Sequence, residues 1–428
     1  MNPRISLDSN KEPLLSDTMN TYQQNLHFLK LYFRSCIRRH LNSLIIACLL
    51  SSLCFLILFY FKNQTIFNLF TYLFSWIPFH SKFPPKTDTS PFNVRKRSGL
   101  SIYDQQIIYN DYDYLHNSTL TFEKRIYSTN IEILFRLPKK VSPSALLLIF
   151  HGCSRSANDW FSTIERQRII GAALDLGYGC LAFQSTDDFS HCWSNEFDLS
   201  NNPDVQMVWN GLDGFYKEYP KLKLLPRFTF GASSGGMFSS IFAINSRHKI
   251  QGQIIFISIV HPELLESHVR KGTYPPTAWI YMTRDTEFAS QSRINESMKR
   301  FAEQNIPHQS YAIEPIQVTS TIFHERIPTL TRETSQYIFE CLQQNNWLDS
   351  ENYLKHNPRR RNTWPDFLLL TVNKTHTNSN IFENFNAHKK ILPDFFNTIY
   401  GEHEISFERS FEALQWHQQI YKMKNNST

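Results

Sequence analysis

An α/β fold with a mostly parallel sheet flanked by helices is what this sequence predicts, and three observations predict it. Short runs of aliphatic, β-branched and aromatic residues recur between positions 118 and 313. The first two of these runs stand close together, whereas helix-length segments separate the later ones. Closely spaced runs form antiparallel pairs, while parallel strands need a crossover between them. Finally, the small-residue segment GASSGG (231–236) ends one run and leads into an apolar helical stretch.

Taken in order, STLTFE (118–123) and NIEILFRL (130–137) read as an antiparallel lead-in. ALLLIF (145–150), GCLAFQ (179–184), RFTFG (227–231), GQIIFISI (252–259), TAWIYM (277–282) and HQSYAI (308–313) follow as parallel strands. Several are apolar nearly throughout, as strands covered on both faces must be. Between or after them, DWFSTIERQRIIGAALDLG, FASQSRINESMKRFAEQN and RETSQYIFECLQQ read as helices, and MFSSIFAI as a helix starting just after Gly236. A last amphipathic helix opens at His403 and carries Phe407, Phe411, Leu414 and Tyr421 on one face.

The chain has 428 residues, of which 41% are hydrophobic, enough for a sizeable core. Its net charge of +6 is spread thinly, without a basic run interleaved with aromatics, so a nucleic-acid partner is not expected. The uncharged run Asn42 to Phe61 is long enough to cross a bilayer as a helix. Lys30, Arg34, Arg38 and Arg39 precede it, against Lys62 and Lys82 after it. This bias expects residues 1–41 as a cytosolic tail and the bulk of the chain in a lumen or outside the cell, a single-pass type II arrangement in the secretory pathway. Ile66 to Phe79 is too short to span comfortably and is expected in the interface. A hairpin through the membrane would instead leave the rest of the chain cytosolic. The segment 80–99 is rich in Pro, Ser and Lys, so 62–100 reads as interface plus linker and 101–428 as the folded domain.

Glycosylation triplets at Asn117, Asn295 and Asn373, with two more at Asn425 and Asn426, agree with a luminal domain. Cys153, Cys180, Cys192 and Cys341 fall in that domain and are free to pair in an oxidising compartment, and no CxxC spacing suggests a metal.

In GASSGG a strand ends at Gly231 and a helix follows, which fits the G-x-S-x-G elbow with Ser233 as nucleophile and the Ser234 N–H as an oxyanion donor. Upstream, His151-Gly152-Cys153 directly follows ALLLIF, and it resembles the HG loop whose backbone N–H groups, here at Gly152 and Cys153, complete an oxyanion hole in α/β-hydrolases; glycine allows the close approach. Past TAWIYM, Asp285 is either the acid that orients a histidine or the cap of a helix starting near Phe288. Two histidines suit the base: His324 in IFHERI and His403 in GEHEIS, each in a loop before a helix.

These motifs, with His191-Cys192-Trp193, YPPT (274–277), RIP (326–328) and PRRRNTW (358–364), make the chain from about Leu146 to Leu414 resemble membrane-anchored α/β-hydrolases of plants and protists. More distantly it is similar to secreted esterases and depolymerases with an HGC loop. The resemblance implies an α/β-hydrolase fold and a Ser-His-Asp triad. It points to His403 over His324 as the base, and to a Cys153–Cys192 disulfide, against two free thiols. It also implies a helical cap over about 329–394. In that cap, Arg359 to Arg361 either meet an anionic substrate group or form a solvated turn. The activity implied is serine hydrolysis of a small-molecule or lipid ester through an acyl-enzyme, with no metal or organic cofactor. A non-catalytic binding domain and an acyltransferase are the competing readings.

Overall fold

The computed structural model describes residues 120–127, 131–244, 247–327, 329–361, 363–366, 368 and 380–426. The tail, the apolar run Asn42–Phe61, the linker and the triplets at Asn117 and Asn373 lie outside the described residues. Among the described residues no helix is long and apolar enough to cross a membrane.

Eight strands form one sheet: β1 Glu123–Tyr127, β2 Ile131–Arg136, β3 Ala145–Phe150, β4 Tyr178–Phe183, β5 Arg227–Ala232, β6 Ile250–Phe256, β7 Thr277–Met282 and β8 His308–Ile313. Their spatial order is β1-β2-β4-β3-β5-β6-β7-β8. β1 pairs with β2 and β2 with β4 antiparallel, and all other pairs are parallel. Every residue of β3, β4 and β7 is buried, which is why their sequences are apolar from end to end. The first strand lies further along the chain than the run STLTFE suggests. Leu120 is drawn off the sheet, its N–H donating to the Phe161 carbonyl at 3.1 Å. The mostly exposed EKRIY takes the edge instead, tied to the next layer by Arg125 Nε and Tyr127 Oη on the Glu218 carboxylate.

The helices are α1 Asp159–Ser162, α2 Ile164–Asp175, α3 Pro203–Glu218, α4 Ser234–Phe242, α5 Gln291–Glu303, α6 Ile322–Arg326, α7 Arg332–Gln344, α8 Asn380–His388, α9 Leu392–Tyr400 and α10 Ser410–Asn426. The stretch from Asp159 is two helices rather than one. Thr163 between them is extended (φ −100°, ψ 141°), and its hydroxyl donates back to the Asp159 carbonyl at 2.9 Å. α3 packs on β1 and β2, α5 on β8, and α10 on α2 and β6. The last contact needs a glycine, since a Cβ on Gly252 would sit 2.5 Å from His417 Nδ1. His417 Nε2 donates to the Gln253 carbonyl at 2.8 Å, so this histidine joins helix to sheet. α10 starts at Ser410, leaving His403 in a turn upstream of it instead of at its first residue.

A second hydrophobic cluster runs from Val318 to Ile399 and is built on Phe323, Trp347, Trp364, Phe395 and Phe396. It forms the insertion between β8 and α10. Charged side chains tie it to α2: Arg326 Nη1 lies 3.3 Å from the Glu165 carboxylate, which also accepts the Phe407 N–H at 2.7 Å. Burial works to raise the Glu165 pKa, but Arg326 and Arg168 beside it hold it below the ordinary carboxylate value.

Candidate active site

β5 delivers Ser233 into a conformation that a residue with a side chain rarely adopts, φ 53° and ψ −118°. Its carbonyl accepts the N–H groups of Gly236 at 2.9 Å and Met237 at 3.1 Å, so α4 starts at Ser234, earlier than the apolar run suggests. Glycines make so sharp a turn possible. A Cβ on Gly231 would overlap the Gly235 carbonyl, and one on Gly236 would lie 2.6 Å from Ser258 Cβ. Ser233 is therefore presented at the carboxyl end of the central strand, its N–H bonded to the Phe256 carbonyl at 2.9 Å.

Ser233 Oγ lies 2.9 Å from His403 Nε2. His403 Nδ1 lies 2.7 Å from Asp285 Oδ2. With Nδ1 donating to the carboxylate, Nε2 is the nitrogen left to accept the serine hydroxyl. Asp285 follows β7 and is 2% exposed. Its Oδ1 accepts the N–H groups of Glu287 at 3.2 Å and Phe288 at 3.0 Å, so one carboxylate both caps the following turn and meets the histidine. Burial acts to raise the Asp285 pKa, but the bonds from His403 and from the Phe288 N–H hold it below the ordinary aspartate value. The Phe288 ring, 59% exposed, sits with its centroid 4.7 Å from that of His403.

His324 is not part of this arrangement. It belongs to α6 in the insertion, with Nδ1 on the Leu330 carbonyl at 2.6 Å. Two further histidines, His261 and His308, also have separate partners. His261 caps a short turn by accepting the Glu263 N–H, and His308 Nδ1 bonds the Ile306 carbonyl.

The HGC segment lies against the serine from the β3 side. A Cβ on Gly152 would be 3.4 Å from Ser233 Cβ. His151 is fully buried, its Nδ1 donating to the Gly152 carbonyl at 2.8 Å and its Nε2 accepting the Ser185 N–H at 3.3 Å. Burial pushes its pKa down to about 4, so it is a neutral strut for the loop. Cys153 and Cys192 are joined by a disulfide, while Cys180 and Cys341 are buried and in no disulfide. The bond staples the loop after β3 to the loop after β4, and the Trp193 N–H next to it donates to Ser234 Oγ at 3.5 Å. Among the described residues, neither the Cys153 nor the Ser234 backbone N–H has a protein acceptor. No three His, Cys, Asp or Glu side chains gather among the described residues as a metal site would need.

Arg359 to Arg361 lie exposed in and just after a turn, as one of the two sequence-based expectations has it, and each also has a partner within the chain. Arg359 bonds the His403 carbonyl and the Glu404 carboxylate at 2.8 and 2.6 Å. Arg360 reaches Glu287 at 2.7 Å and Glu402 at 3.0 Å. Arg361 meets His356 Nε2 at 2.7 Å and lies over the Trp347 ring. Residue type alone could not find these contacts, since two of Arg359's acceptors are main-chain carbonyls. Asn295, on α5, is exposed.

No protein-family model matches the chain, and no curated protein matches it. Among solved structures, an esterase of Pyrococcus furiosus is similar at 16% identity and a TM-score of 0.34, over 54% of this chain and 93% of that one. A thermophilic esterase from the planctomycete Thermogutta terrifontis is similar at 12% identity and a TM-score of 0.33, over 45% and 81%. An acylaminoacyl peptidase of Pyrococcus horikoshii is similar at 12% identity and a TM-score of 0.35, over 55% of this chain and 42% of that one. Likenesses of this size carry no argument about the reaction of this chain.

Proposed function

We propose that this chain is a membrane-anchored serine hydrolase that cleaves carboxylic esters through an acyl-enzyme. The observation supporting it is the unbroken hydrogen-bond chain from Ser233 Oγ through His403 to Asp285, at 2.9 and 2.7 Å. In this reading Ser233 Oγ attacks the ester carbonyl carbon while its proton passes to His403 Nε2. The N–H groups of Cys153 and Ser234 hold the oxyanion, with Gly152 leaving room for it. The alkoxide then departs and takes the proton from Nε2. A water repeats the sequence, giving its proton to His403 and its oxygen to the acyl carbon, and Ser233 leaves with that proton. Asp285 stays ionised throughout and stabilises the imidazolium. An ester suits this machinery because an alkoxide leaves more readily than an amide nitrogen.

A fluorophosphonate probe tests the reading. The wild-type protein is expected to become labelled and Ser233→Ala to stay unlabelled; a folded wild-type protein that remains unlabelled overturns it. The anchor in this proposal is Asn42–Phe61 with the catalytic domain luminal, supported by the charge asymmetry around the run. A glycosidase-sensitive shift in mobility, reduced in Asn295→Gln combined with Asn117→Gln and Asn373→Gln, is the expected result. A protein of unshifted mobility removes the luminal placement.

A further inference from the structure

His403 arrives on an irregular turn. Gly401 (φ 80°) ends α9, and His403 itself has φ 46°. The carbonyls of Glu402 and His403 therefore belong to no helix or strand ladder, and main-chain carbonyls in such a place need another donor. Arg359 supplies it. Its Nη1 donates to the His403 carbonyl at 2.8 Å and to the Glu402 carbonyl at 3.2 Å, and its Nη2 meets Glu404 Oε2 at 2.6 Å. One planar guanidinium thus spans three consecutive residues of which the imidazole carrier is the middle one. Glu404 is 4% exposed and is also faced by Arg166 Nη2 at 3.5 Å and Arg155 Nη2 at 3.8 Å, and its N–H points to Met282 Sδ at 3.4 Å. The turn is consequently held from α2, from β7 and, through Arg359, from the insertion.

We infer that Arg359 is a positioning residue that clasps the His403 turn, so that the insertion sets the aim of the base toward Ser233. The inference rests on the proposed hydrolase reaction. Arg359 touches the main chain of His403 and not its ring, so its part is alignment and not proton transfer. Alignment is worth a great deal, because a misplacement of about 1 Å can lower a rate by about a hundredfold. A lysine offers a single point of charge and cannot bridge the same three acceptors.

Two readouts on Arg359→Ala, Arg359→Lys and the control Arg361→Ala decide the matter: the rate of fluorophosphonate labelling, and the far-downfield proton resonance of His403 Nδ1–H. Arg359→Ala is expected to label about a hundredfold more slowly with a weakened or lost resonance. Arg359→Lys should fall between it and wild type, and added guanidinium should restore part of the Arg359→Ala rate. Arg361→Ala, which removes the same charge from the same segment, should match wild type. An Arg359→Ala protein with wild-type labelling and resonance overturns the clasp; should that variant fail to fold, the same result in Arg359→Lys overturns it. A wild type that shows the resonance but takes no label removes the hydrolase reading, and the resonance of the variants alone then decides the clasp.

Discussion

A Cβ placed on Gly235 would fall 2.5 Å from the carbonyl oxygen of Phe150, so α4 and β3 meet backbone to backbone beside the serine. No side chain can be inserted there without parting the elbow from the strand that carries the HGC loop. Gly235→Ala is therefore expected to lower unfolding free energy by about 3 kcal/mol. Probe labelling should fall with it. Gly272→Ala has an open environment and should cost about 1 kcal/mol, from its positive φ alone. Chemical denaturation of the two variants measures the difference.

The histidine proposed as the base for Ser233 can be separated from its rival by substitution. His403→Ala should slow labelling by about 10³-fold. His324→Ala, which loses only a bond to the Leu330 carbonyl, should label at the wild-type rate. Loss of labelling in His324→Ala with retention in His403→Ala would reverse the assignment.

Cys153 is exposed, so its bond to Cys192 is open to a reductant. The bridge closes a loop with a sequence separation of 39. On a chain-entropy basis a loop of that length stabilises by about 4 kcal/mol. Dithiothreitol, or Cys192→Ser, should lower the melting temperature. Because Cys153 carries one of the proposed oxyanion donors, labelling should slow at temperatures where the reduced protein is still folded.

Acid should unfold the domain over a defined window. Burial pushes His151 and His417 each down to about 4 from the ordinary histidine value of 6.5. Between those values the unfolded chain takes up protons that the folded chain refuses. Stability is thus full above pH 6.5 and falls as pH drops toward 4, by about 3 kcal/mol per histidine. His417→Gln keeps a donor for the Gln253 carbonyl and removes one titration, so the pH slope of the denaturation midpoint should flatten. An unchanged slope contradicts the shift.

Parts of this architecture can be read in the sequence for a physical reason. ALLLIF and TAWIYM coincide with β3 and β7 because strands buried on both faces are apolar throughout, RETSQYIFECLQQ coincides with α7 because one face of that helix is buried, and HQSYAI coincides with β8. The elbow is legible because close contacts, with backbone at positions 231 and 235 and with Ser258 Cβ at 236, favour glycine at all three. β1 is not legible: an edge strand with one neighbour and mostly exposed side chains leaves no apolar pattern, and EKRIY looks like a loop. Spacing could not separate His324 from His403 either, since each precedes a helix, and the difference lies in an Asp285 contact across 118 positions. Arg359 is harder still, as the carbonyls it meets are oriented by a left-handed turn that residue types do not announce.

The position of His403 beyond the whole Val318–Ile399 cluster has a consequence for how the protein is made. A ribosome releases the serine, the acid and the oxyanion loop well before the imidazole. On the proposed reaction, an incomplete molecule would hold Ser233 with no imidazole to take its proton, and would stay chemically silent during synthesis. Reactivity toward esters would then switch on only once the insertion has condensed and delivered the turn, making catalytic competence a report of finished folding.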